Sequence, residues 1–567
     1  MKEWKIELLN NRGFVWACFN NVWAKGYVHR ESISIKSNEL AKEIFVQLQA
    51  GKRFGEIISA MNGAFLILVE TESTLHLATD IVLGAGTFLY DVHTRFVTDS
   101  GESFDRQMHR IDSLGVAENM KSLMYTLDDR TILNGVKHVG AGEIVTIDKS
   151  TGQIHRDFFY KHNQTGRNKK HNYEDYLGEI QQLSERVFRR LIQSLDGKTA
   201  IIPLSGGYDS RYIASMLKAL DYTNVVCYTY GYSAATEETG ISNRVAERLG
   251  FRHFYINQDE TFWKEFTNDS VVNGYFSYCH DLCHTPHIQE IHALQKLQYE
   301  RDFPREGVVI PGFCGDLFGG SYTFSTKQKQ KHRYDLNELC KFIAANHLSS
   351  FYRLSEYKQK ILEDISSFFE ARNIRPDSLE TFNEAFGYWF CCHKVAKYVV
   401  PSVKAYEYLG YEWRLPLWDR ELVDYWYDIP IEFKQEDSLY DYSLRNLYFK
   451  KYDIDYTKQT SMRKQIRGKQ TRKLKNVVGY AVLLYFYYRT GKMLLRRDSN
   501  NFVTVLKDYY YLMDNKRFVS PFENRWLEPF TMWWMEHQIG SKQTMWLFAG
   551  SHTEEERKNE DFHGSWS

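Results

Sequence analysis

From Trp4 to Asp148 the chain alternates short apolar runs with turn residues: WKIELL, FVWACF, AFLILVE, TLHLAT, TFLYDV, RFVTDS and EIVTID. Their β-branched and aromatic content, and the Gly, Asn and Asp between them, predict strands of an antiparallel β-rich unit over residues 1–165. The polar stretch KHNQTGRNKKHN, 161–172, has the composition of a linker. After it the period changes. EDYLGEIQQLSERVFRRLIQSL repeats apolar residues at helical spacing, and TAIIPLSGGYDSRYIASMLKAL reads as strand, glycine turn and amphipathic helix. VVCYTYGY, NRVAERLG and FRHFYIN continue as strand, helix and strand, and GVVIPGFCGD near Val308 adds a further strand and turn. This alternation predicts a parallel α/β sheet with crossover helices. Helical periodicity from Asp335 to about Thr460 gives this second unit, residues 173–460, a helical end.

Residues 461–567 form an extension that begins with Arg463, Lys464, Arg467, Lys469, Arg472, Lys473 and Lys475. The apolar run VVGYAVLLYFYY, Val477 to Tyr488, follows and is bounded by Arg489 and Lys492. It is shorter than the ~20 residues needed to cross a bilayer. A helix packed on its own domain is the expectation, with a helix lying on a membrane surface as the alternative.

Lys+Arg and Asp+Glu both number 72, so no global field draws the chain to nucleic acid or anionic lipid, and no nucleic-acid partner is expected. The eight cysteines have no framework spacing, and MKEWKIELLN lacks the apolar core of an export signal. Reduced thiols in the cytoplasm are the expectation.

The chemistry-bearing candidate is Ser205-Gly206-Gly207-Tyr208-Asp209-Ser210, between the strand IIPL and a helix. Backbone N–H groups at a helix N-terminus favour an anion, glycines let the main chain approach phosphate oxygens, and serine hydroxyls can donate to them. Asp209 can hold Mg²⁺ against a pyrophosphate. A Walker loop would carry a lysine after its last glycine; this one does not. Cys279-His280, Cys283-His284 and His287 offer zinc ligands within nine residues, but no second ligand pair accompanies them, and a cysteine- and histidine-rich wall is the better reading.

The loop and the helix RYIASML resemble the ATP-pyrophosphatase domain of the asparagine synthetase and β-lactam synthetase family. GFCGDLFGGS, Gly312 to Ser321, is similar to that family's GEGxDELFGGY-type turn, with Asp316 on its magnesium aspartate. EWRLPLWD from Glu412 is similar to its ExRxPFLD segment, and His253 falls on a recurrent histidine. MNGAFLILVETESTLHLATDIVLGAGTFLYD and VGAGEIVTI resemble a class II glutamine amidotransferase domain.

The resemblance implies an α/β protein. An antiparallel β-rich amidotransferase-like (Ntn-like) domain at 1–165 would precede an ATP-pyrophosphatase (adenine nucleotide alpha hydrolase-like) domain at 173–460. It implies ATP and Mg²⁺ as cofactors, a small-molecule or peptide carboxylate as substrate and ammonia or an amine as donor, and it admits a homodimer. Leu204, Ser205, Gly206, Gly207, Asp209, Ser210, Tyr230 and Gly312 would bind nucleotide, with Leu204 and Tyr230 flanking adenine. Asp209 and Asp316 would hold the metal, and Asp316, Glu412 and Arg445 would serve catalysis, with Arg414 beside Glu412 shaping the acceptor end.

Three departures bear on the reaction. A class II glutaminase needs an N-terminal cysteine whose own α-amine acts as base; this chain begins Met1-Lys2, and Cys18 is expected in the core of a strand. Phe313 stands where asparagine synthetases carry a glutamate, and Leu317 follows Asp316 where an acidic residue is usual. Asp441 in YDYSLRNLYFKKY stands where a KxxLR-type lysine would be, with Arg445 or Lys450 as substitutes. An amide ligase without its own glutaminase is the expectation, and an idle ATP-binding or scaffold relative the alternative.

Overall fold

The structure is a computed structural model. It describes residues 3–456 apart from 31–32, 105–108, 123, 162–168, 171, 232–236, 259–269, 280, 289, 321–332, 349–356 and 435–437, together with Trp534. The N-terminal unit places β2 (Ala17–Phe19), β3 (Val22–Arg30), β4 (Ile33–Lys36), β5 (Asn62–Glu70), β6 (Thr74–Thr79), β10 (Glu143–Asp148) and β11 (Ile154–Phe158) in one antiparallel sheet. Its order is β11-β10-β6-β5-β3-β2, with β4 on β3. A second sheet runs β1-β8-β7-β9, from β1 (Lys5–Glu7), β7 (Leu89–Asp91), β8 (Phe96–Thr98) and β9 (Lys137–His138).

The side-chain period of two explains why β5 is apolar throughout. Phe65, Ile67 and Val69 pack with Leu40, Ile44 and Ile57, from helices α1 (Ser37–Gln49) and α2 (Phe54–Ser59). Leu66 and Leu68 pack with Phe88, Tyr90 and Val97 of the second sheet. Two expectations need correction. Strands β1 and β8 pair in parallel, so the unit is not purely antiparallel. Cys18 lies not in a core but exposed on edge strand β2, its Sγ 3.3 Å from the Asn20 carbonyl.

Helix α3 (Ser113–Ser122) closes the helices of the first unit, and in the second unit α4 (Glu174–Leu195) buries Ile180, Leu183, Val187, Phe188 and Leu191 on one stripe. Each such side chain contributes roughly 1.5–3 kcal/mol when fully buried. The helix lies against α5 (Tyr208–Ala219), where Ser184 Oγ and Tyr212 OH meet at 2.5 Å. The sheet is β12 (Ala200–Pro203), β13 (Val225–Gly231), β14 (Arg252–Asn257), β15 (Val308–Val309) and β16 (Glu412–Trp413), in the order β14-β13-β12-β15-β16 with every pair parallel. Helix α6 (Glu237–Leu249) links β13 to β14. Helices Leu336–His347, Lys358–Glu370 and Leu379–Phe390 make the helical half, and the last continues as a π-helical stretch, Cys391–Val399.

The two units share one core, in which Phe14 and Tyr27 lie against Trp413. Residues 124–132 also form backbone hydrogen bonds with 282–285: Thr126 N–H to the Cys283 carbonyl at 2.9 Å and Thr285 N–H to the Met124 carbonyl at 2.7 Å. Asp281 accepts from Lys404 at 2.7 Å and lies 3.0 Å from His284 Nε2, a closed polar group inside the wall once weighed as a zinc site; His280 lies outside the described residues. Among the described residues no helix is long and apolar enough to cross a membrane. The run Val477–Tyr488 lies outside them, and Trp534 is buried with its ring 5.6 Å from Phe276.

Candidate functional site

In an open parallel sheet, ligands bind outside the carboxyl ends of the strands where the chain order reverses. Here the reversal falls between β12 and β15: the chain leaves β12 toward β13 on one side and reaches β16 beside β15 on the other. The segment after β12 is Leu204–Gly207, and the one after β15 leads through Gly312 to Asp316. The topology brings the two glycine-rich motifs to one crevice.

The first loop is shaped from within. Ser205 Oγ accepts from the Gly207 N–H at 3.1 Å, Ser210 Oγ accepts from the Ser205 N–H at 3.0 Å, and the two hydroxyls lie 3.1 Å apart. Both serine hydroxyls thus shape the loop by accepting its N–H groups. Buried Arg211 donates to the carbonyls of Gly206 (3.3 Å) and Gly207 (3.1 Å) and to those of Ile454 and Tyr456 at 3.0 Å. Carbonyl and amide of a trans peptide point oppositely, so this grip leaves the N–H of Tyr208, first in α5, directed away from Arg211.

Asp209 is the meeting point. Its Oδ1 accepts from Tyr440 OH at 2.8 Å and its Oδ2 from the Asp316 N–H at 3.2 Å. Burial, followed by the Asp316 charge, pushes the carboxyl up to about 7, against partial relief from Tyr440 and the backbone N–H groups of Asp316 and Gly315. The glycines permit this approach. A Cβ on Gly312 would fall 2.7 Å from Ser210 N, and one on Gly315 2.5 Å from Tyr440 OH and 2.7 Å from Asp209 Oδ1. Between them Cys314 holds a left-handed backbone, φ 61°, a conformation that costs an L residue roughly 1–2 kcal/mol. Asp316 itself is exposed at the mouth.

Other expected residues sit elsewhere. Leu204 is 1 % exposed; its side chain belongs to the core and its carbonyl accepts from Thr229 Oγ1, so it anchors the loop and offers no face to adenine. Tyr230, at the carboxyl end of β13, donates to Glu290 at 3.1 Å, and His253 Nε2 lies 2.9 Å from Thr229 Oγ1.

Glu412 is at the wrong end of the sheet. It is in register with Val308, which is in register with Ala200, so it lies level with the amino end of β12, about 15 Å along the strand from Ser205. Against burial, its ion pairs with Lys198, Arg414 and Lys36 hold its carboxyl down at about 2, a poor base. Arg414 is buried and donates to Ser194, so it cannot shape an acceptor pocket either. Arg445 is committed to Asp455 at 2.9 and 3.0 Å, and Lys450 donates to Asn446 at 2.7 Å.

Sequence reasoning missed Tyr440, the hydroxyl on Asp209, and Gly315. Tyr440 immediately precedes Asp441 in the segment inspected for a lysine, but nothing in a sequence pattern tells which of its tyrosines turns inward.

Residues 183–451, a little under half of the chain, match the family model described as asparagine synthase. No curated protein matches. Among solved structures, an NH3-dependent NAD synthetase from Campylobacter jejuni subsp. jejuni NCTC 11168, in complex with the nitrate ion, aligns at 14 % identity with a TM-score of 0.18. The alignment covers 36 % of this chain and 93 % of that one.

Proposed function

We propose that this chain is an ATP-dependent amide ligase of the asparagine synthetase type, with residues 1–165 an amidotransferase-like domain that lacks a nucleophile, and residues 461–567 an appended extension. A substrate carboxylate attacks the α phosphate of ATP to give an acyl-adenylate and pyrophosphate, and ammonia or an amine then displaces AMP. The observation that carries this reading is the contact of Asp209 with the Gly312–Asp316 turn at the reversal point of the sheet, at the start of the helix that follows the glycine loop. The family match over the same residues supports it.

The residues fit a divalent cation. Asp209 is a half-buried carboxyl that binds a proton up to about 7, so its negative charge is under-compensated, and Asp316 stands next to it. Bound there, Mg²⁺ would neutralise charge on the leaving pyrophosphate. Phe313 has no proton to relay and Glu412 is out of reach, so the nitrogen nucleophile arrives neutral. Cys18 lies within a hairpin with its nitrogen in a peptide bond, and so it cannot act as a glutaminase nucleophile with an α-amine. The eight cysteines are all free, which suits a reducing compartment.

Asp441, where the family resemblance puts a lysine, favours a second reading as an idle ATP-binding relative. Pyrophosphate release from Mg-ATP decides between them, measured across aspartate, sugar carboxylates and peptide carboxylates with and without ammonium, with Asp209→Asn as control. Release that needs one carboxylate and is lost in the variant supports the ligase. ATP binding with no release across the panel supports the idle relative.

A further inference from the structure

Glycines give the phosphate loop its close approach, but they also leave its peptides free to turn, so something outside the loop must hold them. Arg211, one turn into α5 and 1 % exposed, does this. Its Nε donates to the Gly207 carbonyl at 3.1 Å and one terminal nitrogen to the Gly206 carbonyl at 3.3 Å. The other terminal nitrogen donates to the carbonyls of Ile454 and Tyr456, each at 3.0 Å. Four of the five N–H groups of the guanidinium thus join the loop to a segment far along the chain. The rings of Tyr208 and Phe449 cover the guanidinium at 4.7 and 4.8 Å and meet each other edge-on at 5.3 Å.

The far end of this link is itself fixed. The π-helical stretch Arg445–Phe449 runs into a turn with Asp453 in a left-handed conformation, φ 54°. The Ile454 N–H then donates back to the Phe449 carbonyl, and the Tyr456 N–H to the Ile454 carbonyl, both at 2.9 Å. Asp455 accepts from Arg445 at 2.9 Å, and the Arg244 guanidinium of α6 lies 4.9 Å from the Tyr456 ring centroid.

We propose that Arg211 is a positioning residue for the phosphate loop, that residues 454–456, just ahead of the 461–567 extension, are its brace, and that occupancy of the loop is coupled to the order of this turn. The proposal rests on the reading of the loop as a pyrophosphate site. The Gly207 carbonyl and the Tyr208 N–H belong to one rigid peptide plane. An anion on that N–H and Arg211 on that carbonyl hold the plane from both ends, and Arg211 passes the restraint to Ile454 and Tyr456. Such coupling is reciprocal: a looser turn weakens the anion site by as much as the anion tightens the turn. The planar fork of a guanidinium is what spans four carbonyls at once; the ammonium of a lysine, with three donors on a flexible stem, does not.

The test is hydrogen exchange of the full chain with and without Mg-pyrophosphate, read in peptides that contain residues 449–456. In wild type, binding should slow exchange there at least about threefold. Arg211→Lys keeps the charge and loses the fork; calorimetric titration should show it binding Mg-pyrophosphate roughly tenfold or more weakly, and at matched occupancy the protection of 449–456 should be lost. A variant that melts lower yet binds as wild type does would make Arg211 a stabilising residue only and overturns the proposal. The exchange measurement on wild type needs no variant: Mg-pyrophosphate bound with exchange at 449–456 unchanged overturns the proposal and leaves the ligase reading standing. If wild type binds neither Mg-pyrophosphate nor Mg-ATP, the ligase reading fails and the proposal falls with it.

Discussion

Replacing Asp209 by Asn should make the protein more stable at alkaline pH while abolishing the chemistry. Burial, then the Asp316 charge, lifts this carboxyl from an ordinary 3.8 to about 7. A folded value above the unfolded one means that the native state holds the proton more tightly. Stability from this group is therefore fully present below about 3.8 and is lost as pH rises to about 7. At about 1.4 kcal/mol per unit, wild type loses about 3 kcal/mol between pH 5 and pH 8 through this group alone.

The Asn variant has no such loss. Its amide nitrogen cannot accept from the Asp316 N–H, a cost of about 1 kcal/mol at either pH. The two proteins should be near parity at pH 5, and the variant about 2–3 kcal/mol more stable at pH 8. Urea unfolding in EDTA, followed by tryptophan fluorescence at both pH values, reads this directly. Added Mg²⁺ should narrow the gap at pH 8 by stabilising wild type. A difference between the proteins that does not change with pH would refute the reasoning.

Three further outcomes follow from the geometry. At the left-handed position of Cys314, Cys314→Gly should be at least as stable as wild type and Cys314→Val about 2 kcal/mol less stable than the glycine variant, read by denaturant unfolding. Gly312→Ala places a Cβ 2.7 Å from Ser210 N and should weaken ATP binding at least about tenfold, measured by titration, because the clash is with backbone and the loop must shift. Glu412→Gln should leave carboxylate-dependent pyrophosphate release within about threefold of wild type yet cost about 2 kcal/mol of stability at neutral pH. Wild type gains this stability above about 4.5 and loses it as pH falls toward about 2, so the variant's acid transition should be flatter.

What the sequence made legible were the features that local periodicity encodes. The strand IIPL, the glycine loop and the helix after it stand where the pattern put them, because short-range spacing determines strand, turn and helix start together. The helices Ser37–Gln49 and Phe54–Ser59 are less legible, because SNELAKEIFVQLQ, for all its helical spacing, is short and lies among strand runs. The central strand β3, VWAKGYVHR, mixes Lys25 and Gly26 into its apolar positions and so hides its period of two.

Glu412 was misplaced for a different reason. A motif gives proximity along the chain, while a residue at the start of a parallel strand lies at the opposite edge of the sheet from the loops that bind ligand. Only the register β12-β15-β16 reveals this. Tyr440 reaches Asp209 from a helix about 230 residues beyond the loop, and no local pattern carries such a contact.

The most direct test of the central claim is exchange of labelled pyrophosphate into ATP, catalysed by the purified chain in the presence of Mg²⁺ and each carboxylate in turn. Adenylation predicts exchange that requires one carboxylate, needs no ammonia and is absent from Asp209→Asn. Exchange that ignores the carboxylate, or ATP cleaved to ADP and phosphate, would contradict it.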